Sequence, residues 1–320
     1  MINRMIAPVA LAAGLAFAGA ASAQTVGMAT SNPGSLYHGI GSAVAKAANE
    51  AGLNTTIQPA TSPNQYLPLV GANEMEFGVC NLEEFLYAYE GLEWFNGRAN
   101  PDLRVVGLIM PLQEAIFVRA DSDIKTIADL KGKDMVDGYT AQNTILPHLD
   151  AMYATAGLTR DDMNPVQVPS VVGGADAFMA GDAVGFIFSH GAGKVREADA
   201  SVGGIRALTI PDTPEALEQI REHWKTADIV TIEPGPAYPG VLEAGAYMEY
   251  PQAIFTNAQV SDDAVYQLTK AVYENQKMLG ETFPPFRKFD PAKHMVGDVT
   301  PGQYHPGAIK FYKEVGIWKE

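Results

Sequence analysis

Cysteine is nearly absent from this 320-residue chain, and basic residues are scarce. Cys80 is the one thiol, and 22 Lys plus Arg face 37 Asp plus Glu for a formal net charge of -15. A lone thiol excludes an internal disulfide, a cysteine-based zinc site and an iron–sulfur cluster. The shortage of cations excludes the phosphate-driven recognition of nucleic acid and adhesion to an anionic membrane surface. No run reaches the roughly 20 strongly apolar residues that span a bilayer, so the protein is not expected to be membrane-spanning itself.

Catalytic signatures are missing too. There is no His-Glu-x-x-His and no Gly-x-Ser-x-Gly, and the six histidines (38, 148, 190, 223, 294 and 305) are scattered. Gly191-Ala192-Gly193-Lys194 resembles a phosphate loop, but the leading glycine is missing and Val195 stands where the metal-binding hydroxyl belongs. Ser122-Asp123-Ile124-Lys125 matches Ser-x-x-Lys without its companion motifs and reads as a turn. No enzyme, metal or cofactor is expected.

With 47% hydrophobic and 18% charged residues, the chain has the composition of a folded protein, and its length suits about two domains. Arg4, the apolar run from Met5 to Ala20 and the small residues of Ala21-Ser22-Ala23 predict a cleavable signal peptide over residues 1–23, cut after Ala23. The protein is thus expected in the periplasm, and with no cysteine at the cut it carries no lipid there. Losing Arg4 and no acidic residue leaves the mature chain more acidic still. Cys80, in the apolar stretch Phe77-Gly78-Val79, reads as a small buried hydrophobe. Glu83 and Glu84 just beyond it would raise its pKa and argue against a nucleophile.

Beyond residue 24, short apolar segments alternate with helix-period ones. Strands are expected at 25–29, 55–59, 77–80, 103–110, 115–119, 134–137, 166–169, 184–188, 205–210 and 252–256. Helices are expected from Tyr37 to Ala51, ended by Gly52, and from Asp262 to Met278, started by Ser261. The Pro- and Gly-rich stretch from Asp228 to Tyr238 reads as a linker. Alternation of this kind predicts an α/β fold of parallel or mixed sheets with helices on both faces and a ligand at the carboxyl ends of the strands. No low-complexity linker divides the halves, which predicts two lobes joined by crossing strands with a cleft between them. The expected division is 24–112 plus 230–320 for the first lobe and 113–229 for the second.

Three polar loops precede helices: Ser31-Asn32-Pro33-Gly34-Ser35-Leu36-Tyr37, Thr61-Ser62-Pro63-Asn64-Gln65 and Thr140-Ala141-Gln142-Asn143-Thr144. Free N–H groups and the positive end of a helix dipole make such junctions anion sites without Lys or Arg. Each loop taken alone is equally well explained by helix caps and turns. Glu83 and Glu84 would repel an anion and are expected to turn at least partly to solvent.

The sequence resembles the TAXI-type solute receptors, the extracytoplasmic binding subunits of certain TRAP transporters. The resemblance rests on Gly34-Ser35-Leu36-Tyr37, on Asn81 through Gly91 with Tyr87-Ala88-Tyr89, and on Val118 through Ser122. It rests further on Ile127 through Lys133, Ala237-Tyr238-Pro239-Gly240, His305-Pro306-Gly307-Ala308 and Phe311 through Gly316. It implies a type II periplasmic binding-protein fold, a small carboxylate ligand (an organic acid or an amino acid), and TRAP membrane subunits, separate or fused, driven by an ion gradient. Carried over by position, it implies a ligand site of Asn32, Gly34, Ser35, Tyr37, Ser62, Asn64, Asn81, Thr140, Gln142, Asn143 and Thr144, to which His190 is added. The chain departs from the family where Ala141-Gln142-Asn143-Thr144 replaces Gly-Ser-Gly-Thr, where Ser62-Pro63 replaces two glycines, and where Asn81-Leu82-Glu83 replaces Gln-Asn or Gln-Ser-Asp. Amide side chains then fill space that glycines leave open, so a smaller or differently shaped ligand is expected. Two other readings are a periplasmic sensor partnering a signalling protein and an enzyme on the same fold with His190 and a carboxylate as its acid–base pair.

Overall fold

A computed structural model describes residues 25–300 and 303–319; the expected signal peptide and its cleavage point lie outside them. Ten strands form one sheet in the order β2-β1-β3-β10-β4-β7-β5-β6, with β8 (Ile205–Leu208) also paired to β4 and β9 to β10. β1 (Val26–Thr30), β2 (Thr55–Pro59) and β3 (Phe77–Asn81) run parallel in one lobe. β5 (Asp134–Tyr139), β6 (Asn164–Val168) and β7 (Gly185–Ser189) run parallel in the other. The architecture is the expected α/β one.

Two long strands run through both lobes. β4 (Leu103–Arg119) covers what the sequence reads as two strands, and β10 (Gly245–Asn257) extends the expected 252–256 segment towards the N-terminus. Pro111 lacks an N–H and so reads as a break. In the sheet it sits at a bulge: Leu112 pairs with Tyr250 and Ile109 with Gln252, leaving Met110 and Pro111 opposite Pro251. An extra residue left out of the ladder needs no N–H, so the bulge accommodates both prolines where the crossing strands pass between lobes. One end of β10 pairs with β3, the other with β9 (Asp228–Ile232). The first residues of the expected linker are therefore a strand, since Val230 and Ile232 gain a ladder partner that the Pro- and Gly-rich neighbours conceal.

The helices follow their sequence signals. α1 (Leu36–Glu50) is capped by Ser35 Oγ, which accepts from the His38 N–H, and buries Ile40, Val44, Ala47 and Ala48 on one stripe. Gly52 follows it at φ 90°, a conformation that costs a Cβ-bearing residue dearly. α2 (Pro63–Gly71), α3 (Leu82–Glu90), α4 (Leu146–Ala154), α5 (Val171–Ala180) and α6 (Gly193–Val202) complete the βα units. α7 (Pro214–His223), which the sequence reading omits, packs on α4, and α8 (Asp262–Glu274) buries Val265, Leu268 and Val272. Cys80 is fully buried in β3, as expected. Among the described residues no helix is long and apolar enough to cross a membrane.

Candidate functional site

The carboxyl ends of β1, β3, β5 and β7 converge on a small cavity of about 30 Å³, large enough for only a few atoms by comparison with the ~10–15 Å³ one water needs. One wall comes from the first lobe: Ser31 and Ser35 in the loop after β1, Tyr37 on α1, Asn81 at the cap of α3 and Glu84 on α3. The opposite wall is Gln142 and Thr144 after β5, His148 on α4, Val171 on α5 and Ser189 at the end of β7. Leu112 and Glu114 of β4 and Tyr250 of β10 close it from the crossing strands. The walls are also tied together. Asn64 Nδ2 donates to Asn143 Oδ1 at 3.1 Å, and the Lys194 N–H donates to the Gly34 carbonyl at 3.3 Å.

Five of the expected site residues line this cavity: Ser35, Tyr37, Asn81, Gln142 and Thr144. The rest lie beside or away from it. Asn64 and Asn143 hold the walls to each other. Gly34, at φ 92°, offers its carbonyl to Lys194, and the Asn32 carbonyl accepts from the Ser35 N–H. The Thr140 hydroxyl donates to the Val168 carbonyl. Ser62 is buried without a partner for its Oγ. His190 lines a separate cavity of about 320 Å³ with Gln113, Tyr238, Arg287, Lys288 and His294. Neither His190 ring nitrogen has a hydrogen-bond partner, and burial holds its pKa down at about 3. No carboxylate orients it, so the acid–base pair of the enzyme reading is not assembled there.

Glu83 and Glu84 overturn the expectation that they turn to solvent: they are 2% and 3% exposed. Each has partners that offset the cost of burying a charge. Glu83 accepts from the backbone N–H groups of Lys225 and Thr226, the Thr226 hydroxyl and the Tyr87 hydroxyl. Glu84 accepts from Asn81 Nδ2 at 2.7 Å, while Asn81 Oδ1 caps α3 by accepting from the Glu84 N–H. Burial nevertheless pushes the Glu84 carboxyl up to about 7; Glu114 adds to the rise, and Thr144, His148 and the Asn81 contact oppose it. Burial, with Glu84 adding, also pushes up the Cys80 thiol and the Tyr37 hydroxyl. The reading of Cys80 as non-nucleophilic therefore gains its physical basis.

Sequence reasoning missed Glu84 as a site residue together with Glu114, His148 and Tyr250. Glu114 Oε2 lies 2.6 Å from His148 Nδ1 and accepts from the Tyr250 hydroxyl at 3.1 Å. The His148 ring packs 4.1 Å from Trp224, centre to centre. A signal for Glu114 is present: it is a single acid inside the apolar run from Leu108 to Val118. A charge there has to be buried, and buried charges need partners. Its partners are 34 and 136 residues away, so nothing local names them. No Lys or Arg lines the cavity. Among the described residues no cluster of His, Cys, Asp and Glu could hold a metal ion.

Two lobes on one mixed sheet, crossed by two strands and closed over a cavity at the strand ends, are the features of the α/β periplasmic binding-protein fold. PhnD1 from Prochlorococcus marinus MIT 9301, in complex with methylphosphonate, superposes with a TM-score of 0.55 at 7% identity, over 92% of this chain and 99% of that one. The match is in fold alone. The profile of the NMT1-like family matches residues 28–316, and the chain belongs to that family. The aliphatic sulphonate binding protein SsuA from Escherichia coli (TM-score 0.47, 15% identity, 91% of this chain and 87% of that one) is more distant in shape. So is an ancestral arginine-binding protein bound to arginine (0.49, 11%, 82% and 97%). The family match shows the NMT1-like family and does not by itself name a TAXI receptor or a TRAP partner.

Proposed function

We propose that the protein is the extracytoplasmic solute receptor of a membrane transporter, closing its two lobes over one small carboxylate-bearing molecule. The observation that supports this reading best is the cavity at the strand ends, with one wall from each lobe and the Asn64–Asn143 contact beside it. Such a site can hold a ligand; Glu114 orients His148 there, but among the described residues no hydroxyl or thiol nucleophile is paired with that ring.

The donors for a ligand carboxylate are neutral. The Ser31 hydroxyl is buried, with the Tyr66 hydroxyl beside it. The Tyr37 hydroxyl accepts from Asn81, which leaves its O–H to donate. Gln142 Oε1 accepts from the Val171 N–H, which leaves its NH₂ group. The start of α1 adds the positive end of a 15-residue helix dipole. Ser35, Asn81 and Thr144 complete the polar lining, and Asn64 and Asn143 act on closure. Residues 24–112 with 230–320 are assigned to one lobe and 113–229 to the other, with the divisions falling in β4 and β9.

The resemblance to TAXI receptors supports a TRAP-type partner that works on an ion gradient. Export through cleavage after Ala23 places the mature chain, starting at Gln24, in the periplasm. Melting the protein against a panel of organic acids and amino acids tests the binding reading, since a ligand at about 100 Kd adds roughly 2.7 kcal/mol. Stabilisation by one chemical group of the panel is expected, and none by any compound would overturn the reading. Uptake by proteoliposomes carrying the membrane subunits tests the partner. Uptake that needs ATP and ignores the ion gradient would reassign it to an ATP-driven permease.

A further inference from the structure

We propose that Glu84 is the specificity-determining residue of the cavity and that the ligand is a small zwitterion, with one carboxylate and one ammonium group, rather than a hydroxy acid or a dicarboxylate. The proposal rests on the solute-receptor reading and names the class of solute.

Three observations lead to it. The first is charge: the lining holds two carboxylates, Glu84 and Glu114, and not one Lys or Arg. A second anionic group on the ligand would be buried against like charge with no Lys or Arg to offset it. The second is the difference between the two acids. Glu114 has His148 and Tyr250 on the same oxygen, whereas Glu84 has only amide and hydroxyl donors and makes no ion pair among the described residues. A buried carboxylate facing a cavity without Lys or Arg is a place for a cation from the ligand. The third is independent of the acids. Ser31 is 3% exposed and lines the same cavity, and its Oγ meets no full hydrogen-bond geometry, with the Tyr66 hydroxyl beside it. The site therefore offers neutral donors and, beside them, a carboxylate, the complement of a zwitterion. At about 30 Å³ it suits a molecule with a handful of non-hydrogen atoms.

The groups around Glu84 set how binding responds to pH. Tyr37 on α1, Tyr66 on α2, Cys80 on β3, Glu114 on β4, His148 on α4 and Tyr250 on β10 all face it electrostatically. The tyrosines and the thiol are held neutral by burial, whereas the Glu84 carboxyl is pushed up to about 7 and so changes charge around neutrality. An ammonium favours the ionised carboxylate, so ligand binding expels a proton from Glu84 and strengthens as pH rises. A ligand held by the protonated carboxyl would strengthen as pH falls.

Titration calorimetry of the full mature chain with glycine, alanine and serine, against glycolate, lactate, glutamate and 2-oxoglutarate, at pH 5.5 and pH 8, tests the proposal. The small amino acids are expected to bind, more tightly at pH 8, and the hydroxy acids and dicarboxylates at least about 30-fold more weakly, because they leave Glu84 unpaired or face it with an anion. Glu84→Gln should erase that preference while the unliganded protein still melts cooperatively, and Ser31→Ala should weaken both classes alike. Preference for hydroxy acids or dicarboxylates, tighter binding at pH 5.5, or an unchanged preference in Glu84→Gln would overturn the Glu84 assignment while leaving a solute receptor standing. No binding by any of the compounds would overturn both.

Discussion

Asn64 and Asn143, 79 residues apart, meet edge to edge across the cleft, with Nδ2 of the first 3.1 Å from Oδ1 of the second. Both stand in loops whose polarity by itself says only that a helix is about to start. Their contact, with the Lys194 N–H on the Gly34 carbonyl, joins the two walls without touching the cavity they enclose.

Removing this contact should weaken closure more than folding. Asn143→Ala is expected to lower affinity for the solute by roughly 2- to 10-fold, the worth of one net hydrogen bond. The melting temperature of the unliganded protein should stay nearly the same. Calorimetry and a melting curve on the same sample check both, and an equal loss in the two would make the contact merely structural.

Glu83 is predicted to hold the fold. Its carboxylate joins α3 to the chain entering β9 through Lys225 and Thr226. Glu83→Ala strands those donors and should lower the melting temperature by about 3–10 °C. Circular dichroism reads the outcome, and a change within 1 °C would remove Glu83 from the buried framework.

Asp137 should make the protein less stable in mild alkali. Both its carboxylate oxygens are buried without partners, Arg160 Nη1 stays 3.8 Å away, and burial pushes its pKa up to about 7. A raised carboxyl pKa means the folded chain holds a proton the unfolded chain has released. Its contribution is full below about pH 4 and is lost as pH rises towards 7. Asp137→Asn should therefore gain melting temperature over the wild type at pH 8 compared with pH 5. A difference independent of pH would contradict this.

His190 has the opposite sign. Its pKa, held near 3 by burial, lies below the ordinary 6.5, so the unfolded chain takes up the proton first. Stability is full above about pH 6.5 and declines as pH falls towards 3. His190→Leu should outlast the wild type at pH 5 by a wider margin than at pH 8, as measured by melting in matched buffers. Reversal of that order would mean His190 is charged and paired in the folded protein.

Much of this molecule is legible in the chain. Ser35, Asn81 and Ser261 sit before apolar periodicities and cap helices as their side chains dictate. The Phe77–Asn81 run is buried end to end because it has nothing polar to expose until its last residue. Such features rest on interactions within a few residues, which sequence order preserves. Pro111 shows where that fails. Its missing N–H breaks a strand on paper, and only the bulge opposite Pro251 makes one strand of two. Glu83 and Glu84 fail for a related reason: a charge belongs in water unless partners are supplied, and theirs come from residues as far off as Thr226.

The scarcity of cysteine and of cations, the alternation of strand and helix, and the helix starts at the strand ends are set by the sequence itself, because composition and local propensity act along the chain. The character of the cavity was decided only in three dimensions. Glu84, Glu114, His148 and Tyr250 come together because the sheet order places β3 and β7 on either side of β10 and β4. Burial then gives the carboxylates an electrostatic weight that their positions in the sequence do not carry.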